Sequence, residues 1–393
     1  MKKTAVRSGR PAGQARQGQA RPAQEKAPSP HPAEPSSGLI TEDELLLASR
    51  NHAMPLEMLR WYATPAGMHY LVIHWDVPAV DPETWSLRLH GAVHRELQLR
   101  LGDLRAREAR TLDVTMECAG NGRSLLKPRP VSQPWVLGGV SNAVWTGTPL
   151  SGLLAEAGLE PGAVELVFTG EDRGFQGGVE QAYARSLPVE VAASDDVLLA
   201  YEMNGQPLMP QHGFPLRLLV PGWYGMTSVK WLRSIEAVTT PFEGFQQSVA
   251  YRFQQDAEDS GTRVSRIRVR ALMVPPGEAD FATRRRVLAA GPTVLEGRAW
   301  SGHGAVTAVS VGIDGAWFRA HLEPAVDRYA WRRWTFPWVA SEGTHELMCR
   351  AEDTAGNIQP LEQEWNYQGM GNNAVQRIEV TVRPSLADGT AFP

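Results

Sequence analysis

A lone thiol followed by small residues is the first feature of this chain that could carry chemistry. Cys118 is one of only two cysteines among 393 residues, and it stands in the segment TMECAGNGRS. The residues before it alternate like a strand, so Cys118 falls at a strand end that can project into a cleft. The small residues after it let a bulky group approach the backbone, and Arg123 should lower the thiol pKa. Cys118 is therefore a candidate soft-metal ligand or nucleophile, and a buried structural cysteine is the alternative.

A second segment, HGFPLRLLVPGWYGMTSVKW, combines rigid turns with hydrogen-bond donors. Glycine and proline break it into turns, and between them stand His212, Arg217, Ser228 and Lys230. Such donors suit phosphate, so the segment predicts a groove for an anionic ligand. A loop-rich pair of strands whose polar groups face water is the alternative.

The segment SRNHAM offers a third pair of polar side chains. Arg50 and His52 are two residues apart, and in an extended backbone they would point the same way. Exposed arginine and histidine are common, so this pair alone carries little weight.

Periodicity indicates the elements that must position these residues. A short helix is expected at TEDELLLAS, with Thr41 as N-cap and Glu44 three residues on. Strands are expected over MHYLVIHW, WSLRLHG and LDVTMEC, and an amphipathic helix over PLSGLLAEAGL. No repeated strand-helix-strand spacing emerges, so residues 41–255 predict an α+β domain. Residues 1–40 are rich in Pro, Ala, Gln, Gly and Arg and are expected to form a disordered tail.

The pattern changes near residue 260 to short alternating segments separated by turns. This spacing predicts an immunoglobulin-like β-sandwich over residues 256–393. In HELMCRAED, Leu347 and Cys349 share a face, so Cys349 is expected to be a buried apolar residue.

Composition narrows the classes of partner. The formal net charge of −4 gives no reason to expect nucleic acid or a membrane surface. No CxxC pair or HExxH motif suggests zinc. No hydrophobic signal segment is recognisable, so a cytoplasmic protein is expected, with the periplasm as the alternative.

Together these segments resemble the sulfite oxidase family of molybdenum enzymes. The motifs that carry the resemblance are, in order along the chain, RNH, ECAGNGRS, GGVSNAVWTG, LLAYEMNGQPLMPQHGFPLRLLVPGWYGMTSVKW and WNYQGMGNNAVQRIEV. The resemblance covers roughly residues 45 to 382. It implies a molybdenum-cofactor domain followed by an immunoglobulin-like dimerisation domain, in a bacterial-type member without a fused haem domain.

The resemblance also implies roles for individual residues. Cys118 would be the protein ligand to the molybdenum of a molybdopterin cofactor. The pterin and its phosphate would be held by His52, His212, Arg217, Ser228 and Lys230. The pocket for the substrate oxyanion would be formed by Arg50, Arg123 and Tyr251.

The activity implied is oxidation of sulfite to sulfate by oxygen-atom transfer, in a homodimer that passes electrons to an external carrier such as a c-type cytochrome. Animal members carry two consecutive arginines after CAGN, whereas this chain has Gly122 and then Arg123. Two alternatives stay open. One is a molybdopterin-dependent reductase of an S-oxide, N-oxide or nitrate, and the other is a non-enzymatic binding protein with an immunoglobulin-like module.

Overall fold

The computed structural model describes residues 39–384 of the chain. Residues 1–38 of the expected disordered tail, and residues 385–393 of the expected sandwich domain, lie outside the described residues. Within the described range, no helix is both long enough and apolar enough to cross a membrane.

The helices are short, and two were predicted from sequence with their capping. The first begins after Thr41, whose hydroxyl accepts from the Glu44 backbone N–H while the Glu44 carboxylate accepts from the Thr41 N–H. This reciprocal capping box confirms the expected helix start. The third helix buries its leucine face and ends at Gly158, which has a φ of 68°. The helices are α1 Glu42–Arg50, α2 Leu101–Arg105, α3 Leu150–Ala157, α4 Val189–Ala192 and α5 Phe245–Ser248.

One mixed sheet, one antiparallel sheet and a short hairpin contain the strands of the first part of the described chain. Its strands are β1 Leu87–Gly91, β2 Leu97–Leu99, β3 Arg110–Glu117, β4 Val140–Pro149, β5 Glu165–Gln176, β6 Val179–Pro188, β7 Leu198–Met203, β8 Gln206–Pro207, β9 Arg217–Leu219, β10 Leu232–Val238, β11 Arg252–Phe253 and β12 Thr262–Arg263. One sheet has the order β2-β1-β10-β5-β6, and the other has β3-β4-β7-β8 with β9 also paired to β7. Only β1 and β10 pair in parallel among these strands. The predicted α+β class is confirmed.

The expected strand over MHYLVIHW is wrong. In this stretch Leu71 makes only an isolated bridge to His52. His69, Tyr70, Leu71 and Val72 all line the same cavity. Consecutive side chains in a strand point to opposite faces, whereas these four consecutive residues line one cavity. The alternation of residue types in this segment therefore does not indicate a strand.

The second part of the described chain is the predicted immunoglobulin-like β-sandwich. Its strands are β13 Arg270–Met273, β14 Glu278–Ala279, β15 Arg286–Ala289, β16 Gly291–Trp300, β17 Val306–Ile313, β18 Ala316–Arg319, β19 His321–Leu322, β20 Arg332–Ala340, β21 Gly343–Asp353 and β22 Gln376–Arg383. A sheet of order β13-β16-β20-β19 faces one of order β14-β15-β22-β21-β17-β18. Cys349 lies fully buried in the core between them, as expected.

A polar cluster joins the two parts directly beside Cys118. Glu117, the last residue of β3, is buried, and its carboxylate accepts from Arg270 Nη1 at 2.6 Å and from Trp300 Nε1 at 2.8 Å. Arg270 begins β13 and Trp300 ends β16. A separate apolar core surrounds this seam and draws residues from both sides of it. The division of the chain at residues 255 and 256 stays a prediction.

Candidate active site

Cys118 lies where two cavities meet. Strand β3 delivers it, and its N–H donates to the Gly139 carbonyl at 2.8 Å. The turn that follows is closed by Asn121, whose N–H donates to the Cys118 carbonyl at 3.0 Å, and by Gly122 in the left-handed region at a φ of 88°. Four residues line both cavities: Val72, His74, Cys118 and Tyr251.

Burial raises the pKa of the Cys118 thiol. The Arg123 guanidinium and a hydrogen bond from Trp135 act in the opposite direction, but they are outweighed by desolvation. Arg123 lowers the thiol pKa as expected, but the net shift is upward, so the protein alone does not favour the thiolate. A thiolate at this position needs a stronger positive charge than one arginine, and a coordinated metal ion would supply it.

The first of the two is here called the basic cavity. Its lining includes four of the residues predicted to bind the cofactor, namely His212, Arg217, Ser228 and Lys230. Arg217 is buried and donates to the carbonyls of His212 and Ser228, both at 3.1 Å. Lys230 Nζ donates to the carbonyls of Val72 at 2.8 Å and Gln211 at 3.0 Å.

The basic side chains of this cavity are not fully balanced by negative charge. Burial lowers the pKa of Arg217 to about 10, and burial followed by the charge of Arg217 lowers the pKa of His212 to about 4. The same two causes lower the pKa of Lys230. Each shift records the cost of keeping a cation out of water, and at Lys230 the carboxylate of Asp172 acts in the opposite direction without offsetting that cost. A bound phosphate would remove that cost.

Three buried polar atoms in this cavity have no hydrogen-bond partner in the described structure: His69 Nε2, Asp172 Oδ1 and Arg217 Nε. Buried polar groups are rarely left unpaired, so these atoms point to a bound group. Arginine suits a phosphate, and a carboxylate suits the ring N–H and amino groups of a pterin. The residues present therefore fit a molybdopterin.

Asp172 was missed by the sequence analysis. It lies on β5 inside an irregularity where the pairing with β6 shifts between Thr169 and Arg173. Such a bulge re-aims a side chain, and here the carboxylate enters the basic cavity. Burial raises its pKa to about 6. The local signal was the TGED sequence at the end of an alternating apolar strand.

His52 is exposed and lines neither cavity. The premise that Arg50 and His52 share a direction fails because Arg50 is still part of α1 and the backbone becomes extended at Asn51. The histidine that occupies the junction of the two cavities is His74, which sequence reasoning missed. Its Nε2 lies 2.7 Å from the hydroxyl of Tyr251. The influence of His52 on the site is a minor lowering of the pKa of His69 and His212.

The second of the two, here called the entrance cavity, has a volume of about 570 Å³ and is lined by all three predicted substrate residues, Arg50, Arg123 and Tyr251. Arg123 is 5% exposed. Its Nε donates to the Gln368 carbonyl at 2.9 Å, and its Nη1 donates to the Gln133 carbonyl at 3.2 Å. Arg50 is exposed, and its Nη2 lies 3.4 Å from the His74 carbonyl.

Comparison with known proteins agrees with this geometry. Residues 74–246 match the family model of the oxidoreductase molybdopterin binding domain, and residues 263–383 match that of the Mo-co oxidoreductase dimerisation domain. The chain is 35% identical to sulfite oxidase of Gallus gallus over 83% of this chain and 75% of that protein. It is 33% identical to mitochondrial sulfite oxidase of Homo sapiens over 90% of this chain, and it spans 65% of the length of that protein.

A solved structure shares the fold. The sulfane dehydrogenase SoxCD of Paracoccus pantotrophus matches with a TM-score of 0.73 over 94% of this chain and 96% of that chain, at 24% identity. The family, the molybdopterin cofactor and the class of enzyme inferred from the sequence motifs are confirmed. This chain belongs to the sulfite oxidase family of molybdopterin-dependent oxidoreductases.

Proposed function

We propose that the protein oxidises a small sulfur oxyanion, with sulfite to sulfate as the reference reaction, and that the electrons pass to an external carrier such as a c-type cytochrome. The observation that carries this proposal is the position of Cys118 between two cavities of different character. One offers unpaired donors for a phosphate-bearing cofactor. The other offers guanidinium groups for a substrate anion.

The cofactor would be held by the side chains of the basic cavity. Arg217, Lys230 and His212 would bind its phosphate, Asp172 would accept from the pterin ring, and Cys118 would coordinate molybdenum. Ser228 keeps the loop in place, because its hydroxyl accepts from the Val220 N–H at 3.1 Å. When bound, the molybdenum cofactor supplies two-electron redox chemistry with oxygen-atom transfer.

The substrate anion would be held by Arg123, with Arg50 at the mouth of the entrance cavity. The guanidinium of Arg123 is fixed by two carbonyl acceptors and keeps its orientation before the anion arrives. Such preorganised donors stabilise charge without reorganisation. Removing one buried arginine that pairs with the anion should cost about 2–5 kcal/mol of binding free energy.

Tyr251 and His74 would act as a hydrogen-bonded pair beside the reacting anion. Burial lowers the pKa of His74 to about 3, and burial raises the pKa of Tyr251, so both groups are neutral near pH 7. In its Nε2–H tautomer a neutral His74 donates to the phenol oxygen, which fixes the hydroxyl at the junction of the cavities and leaves the phenol hydrogen available. From there the phenol can donate to an oxygen of the substrate. His74 is thus a positioning residue for Tyr251.

The dimerisation-domain match of residues 263–383 supports a homodimer built through the β-sandwich. Sedimentation equilibrium of the purified protein tests this: twice the mass of the chain is expected, and a monomer at micromolar concentration would contradict it.

The proposed function is tested on protein purified from a host that makes molybdenum cofactor. Elemental analysis should find about one molybdenum per chain, and sulfite should reduce ferricyanide or cytochrome c. Cys118→Ser should lower sulfite oxidation at least about a hundredfold, because the hydroxyl is a harder and far less acidic ligand. Cys349→Ser is the matched control, since that cysteine lies in the sandwich core, and it should keep both molybdenum and activity.

Two results would count against the proposal. Wild-type turnover by Cys118→Ser would refute the assignment of the metal ligand. Molybdenum-loaded protein that ignores sulfite but reduces a sulfoxide, N-oxide or nitrate with a reduced dye would replace the oxidase by a reductase.

A further inference from the structure

The entrance cavity is far larger than a sulfite ion requires. Its volume of about 570 Å³ lies within the range of about 300–1,000 Å³ that is typical of sites for organic ligands. A bare oxyanion bound beside Cys118 would leave most of this volume to water. The space therefore calls for a substrate with a body attached to its anionic group.

The cationic charge of this cavity is concentrated at one deep point. Arg123 is buried, and its third contact is the Met370 sulfur, 3.5 Å from Nη2. No carboxylate of residues 39–384 forms an ion pair with it. Arg50, the other guanidinium of this cavity, is exposed at the mouth and is screened by water. A single desolvated cation balances the charge of a monoanion better than that of a dianion.

Aromatic side chains line the same cavity as these two arginines. Trp135 is buried, Trp75 and Tyr251 are half-buried, and Phe175 is 70% exposed at the tip of the β5–β6 hairpin. The Trp75 indole is fixed by donating to the Phe175 carbonyl at 3.1 Å. Large apolar surface left open to water in a cleft marks a ligand-binding surface.

We propose that the preferred substrate is an organic sulfinate, R–SO₂⁻, whose anionic group binds at Arg123 and whose apolar R group lies against Trp75 and Phe175. This rests on the proposed function, because the same sulfur-centred oxidation is used. A sulfinate is a monoanion at neutral pH and keeps a lone pair on sulfur, as sulfite does. It differs in carrying a carbon substituent that can fill the aromatic part of the cavity.

The reaction balances as R–SO₂⁻ + H₂O → R–SO₃⁻ + 2 H⁺ + 2 e⁻. A new sulfur–oxygen bond forms, with its oxygen originating in water, and two O–H bonds of that water break. Sulfur is oxidised, and the external one-electron carrier of the proposed function is reduced. The carbon–sulfur bond stays intact, so the product is a sulfonate.

Steady-state kinetics on the molybdenum-loaded enzyme compare benzenesulfinate, methanesulfinate and sulfite. The specificity constant kcat/KM should be at least about tenfold higher for benzenesulfinate than for sulfite, because burying a ring is favourable. Methanesulfinate should fall between them. Binding is read independently of turnover: benzenesulfonate, which cannot be oxidised further in this way, should quench tryptophan fluorescence at lower concentration than sulfate does.

Two variants separate the aromatic wall from general damage. Phe175→Ala keeps the backbone carbonyl that holds Trp75, and it should reduce the preference for benzenesulfinate over methanesulfinate about tenfold. Phe318→Ala removes a ring that is 45% exposed on β18 in the sandwich, and it should leave that preference unchanged.

Three experimental outcomes would contradict the sulfinate proposal or a part of it. Sulfite oxidation without turnover or binding of benzenesulfinate and benzenesulfonate would overturn the sulfinate proposal and leave the proposed function standing. A molybdenum-loaded enzyme that oxidises none of the three anions would overturn both. Equal kcat/KM for benzenesulfinate and methanesulfinate would show that the aromatic wall does not contact the substrate.

Discussion

Replacing Glu117 by Gln tests whether the seam beside Cys118 holds the two halves of the chain together. Glu117 and Arg270 are both at most 2% exposed and 2.6 Å apart, and Arg270 Nε and Nη2 have no partner in the described structure. The substitution leaves a buried guanidinium without its counter-charge. Breaking a buried pair on one side commonly costs about 3–5 kcal/mol, and the expected loss in the free energy of unfolding is of that size.

The measurement is thermal and urea unfolding of the purified protein. At roughly 2 °C per kcal/mol for a protein of this size, Tm should fall by about 6–10 °C. Glu346→Gln is the matched control, because its pair with Arg377 lies at 3.1 Å with both side chains exposed. That variant should lose no more than about 1 kcal/mol.

A double-mutant cycle decides between charge and packing. Adding Arg270→Met to Glu117→Gln removes the stranded cation, so the double variant should be more stable than the sum of the two single losses predicts. Additive losses would refute the charge argument. A Glu117→Gln variant as stable as Glu346→Gln would also refute it.

Three further predictions concern the cavities. In Gly120→Ala the new Cβ would lie 2.6 Å from Arg123 Nη2, so the guanidinium must shift; the KM for sulfite should rise about tenfold with molybdenum content unchanged, and an unaltered KM would argue against anion binding at Arg123. Asp172→Asn removes the carboxylate of the basic cavity; it should lower molybdenum retained after gel filtration about tenfold, and full retention would exclude contact with the pterin. The pKa of His212 is about 4 in the folded protein, below the ordinary value of 6.5, so stability present above pH 6.5 is lost as the pH falls towards 4, by about 3 kcal/mol for the cofactor-free protein. Urea unfolding across this range measures the loss, and His212→Asn should flatten the pH profile; an unchanged profile would remove His212 as its cause.

The features that could be predicted from sequence are those set by neighbours along the chain. The capping box of Thr41 and Glu44 is complete within four residues, and the strand that ends at Cys118 carries its own alternation. The sandwich strands are likewise separated by readable turns. In each case the signal and the structure lie in the same short segment.

The features that escaped prediction depend on contacts between distant segments. His74 belongs to the site because Tyr251, 177 residues later, lies against it. Asp172 enters the basic cavity through a shift in strand pairing, and the TGED sequence alone does not show where the carboxylate points. Arg123 was expected to set the thiol pKa, but the burial that outweighs it is produced by the whole fold. Short-range patterns give element types, whereas cavity walls are decided by tertiary packing.

Arg123 donates hydrogen bonds to two residues that lie far away in sequence, to the carbonyl of Gln368 and to the sulfur of Met370. Those two residues come from the loop before β22, within the stretch that matches the dimerisation model. In a hybrid protein that joins residues 39–255 to the sandwich of a relative, Arg123 would therefore be held by the corresponding loop of that relative. The sandwich domain, which the family model names only for dimerisation, would therefore also influence which anions the enzyme accepts. Substitutions in the loop before β22 could change this selectivity without any change in the molybdopterin-binding part of the chain.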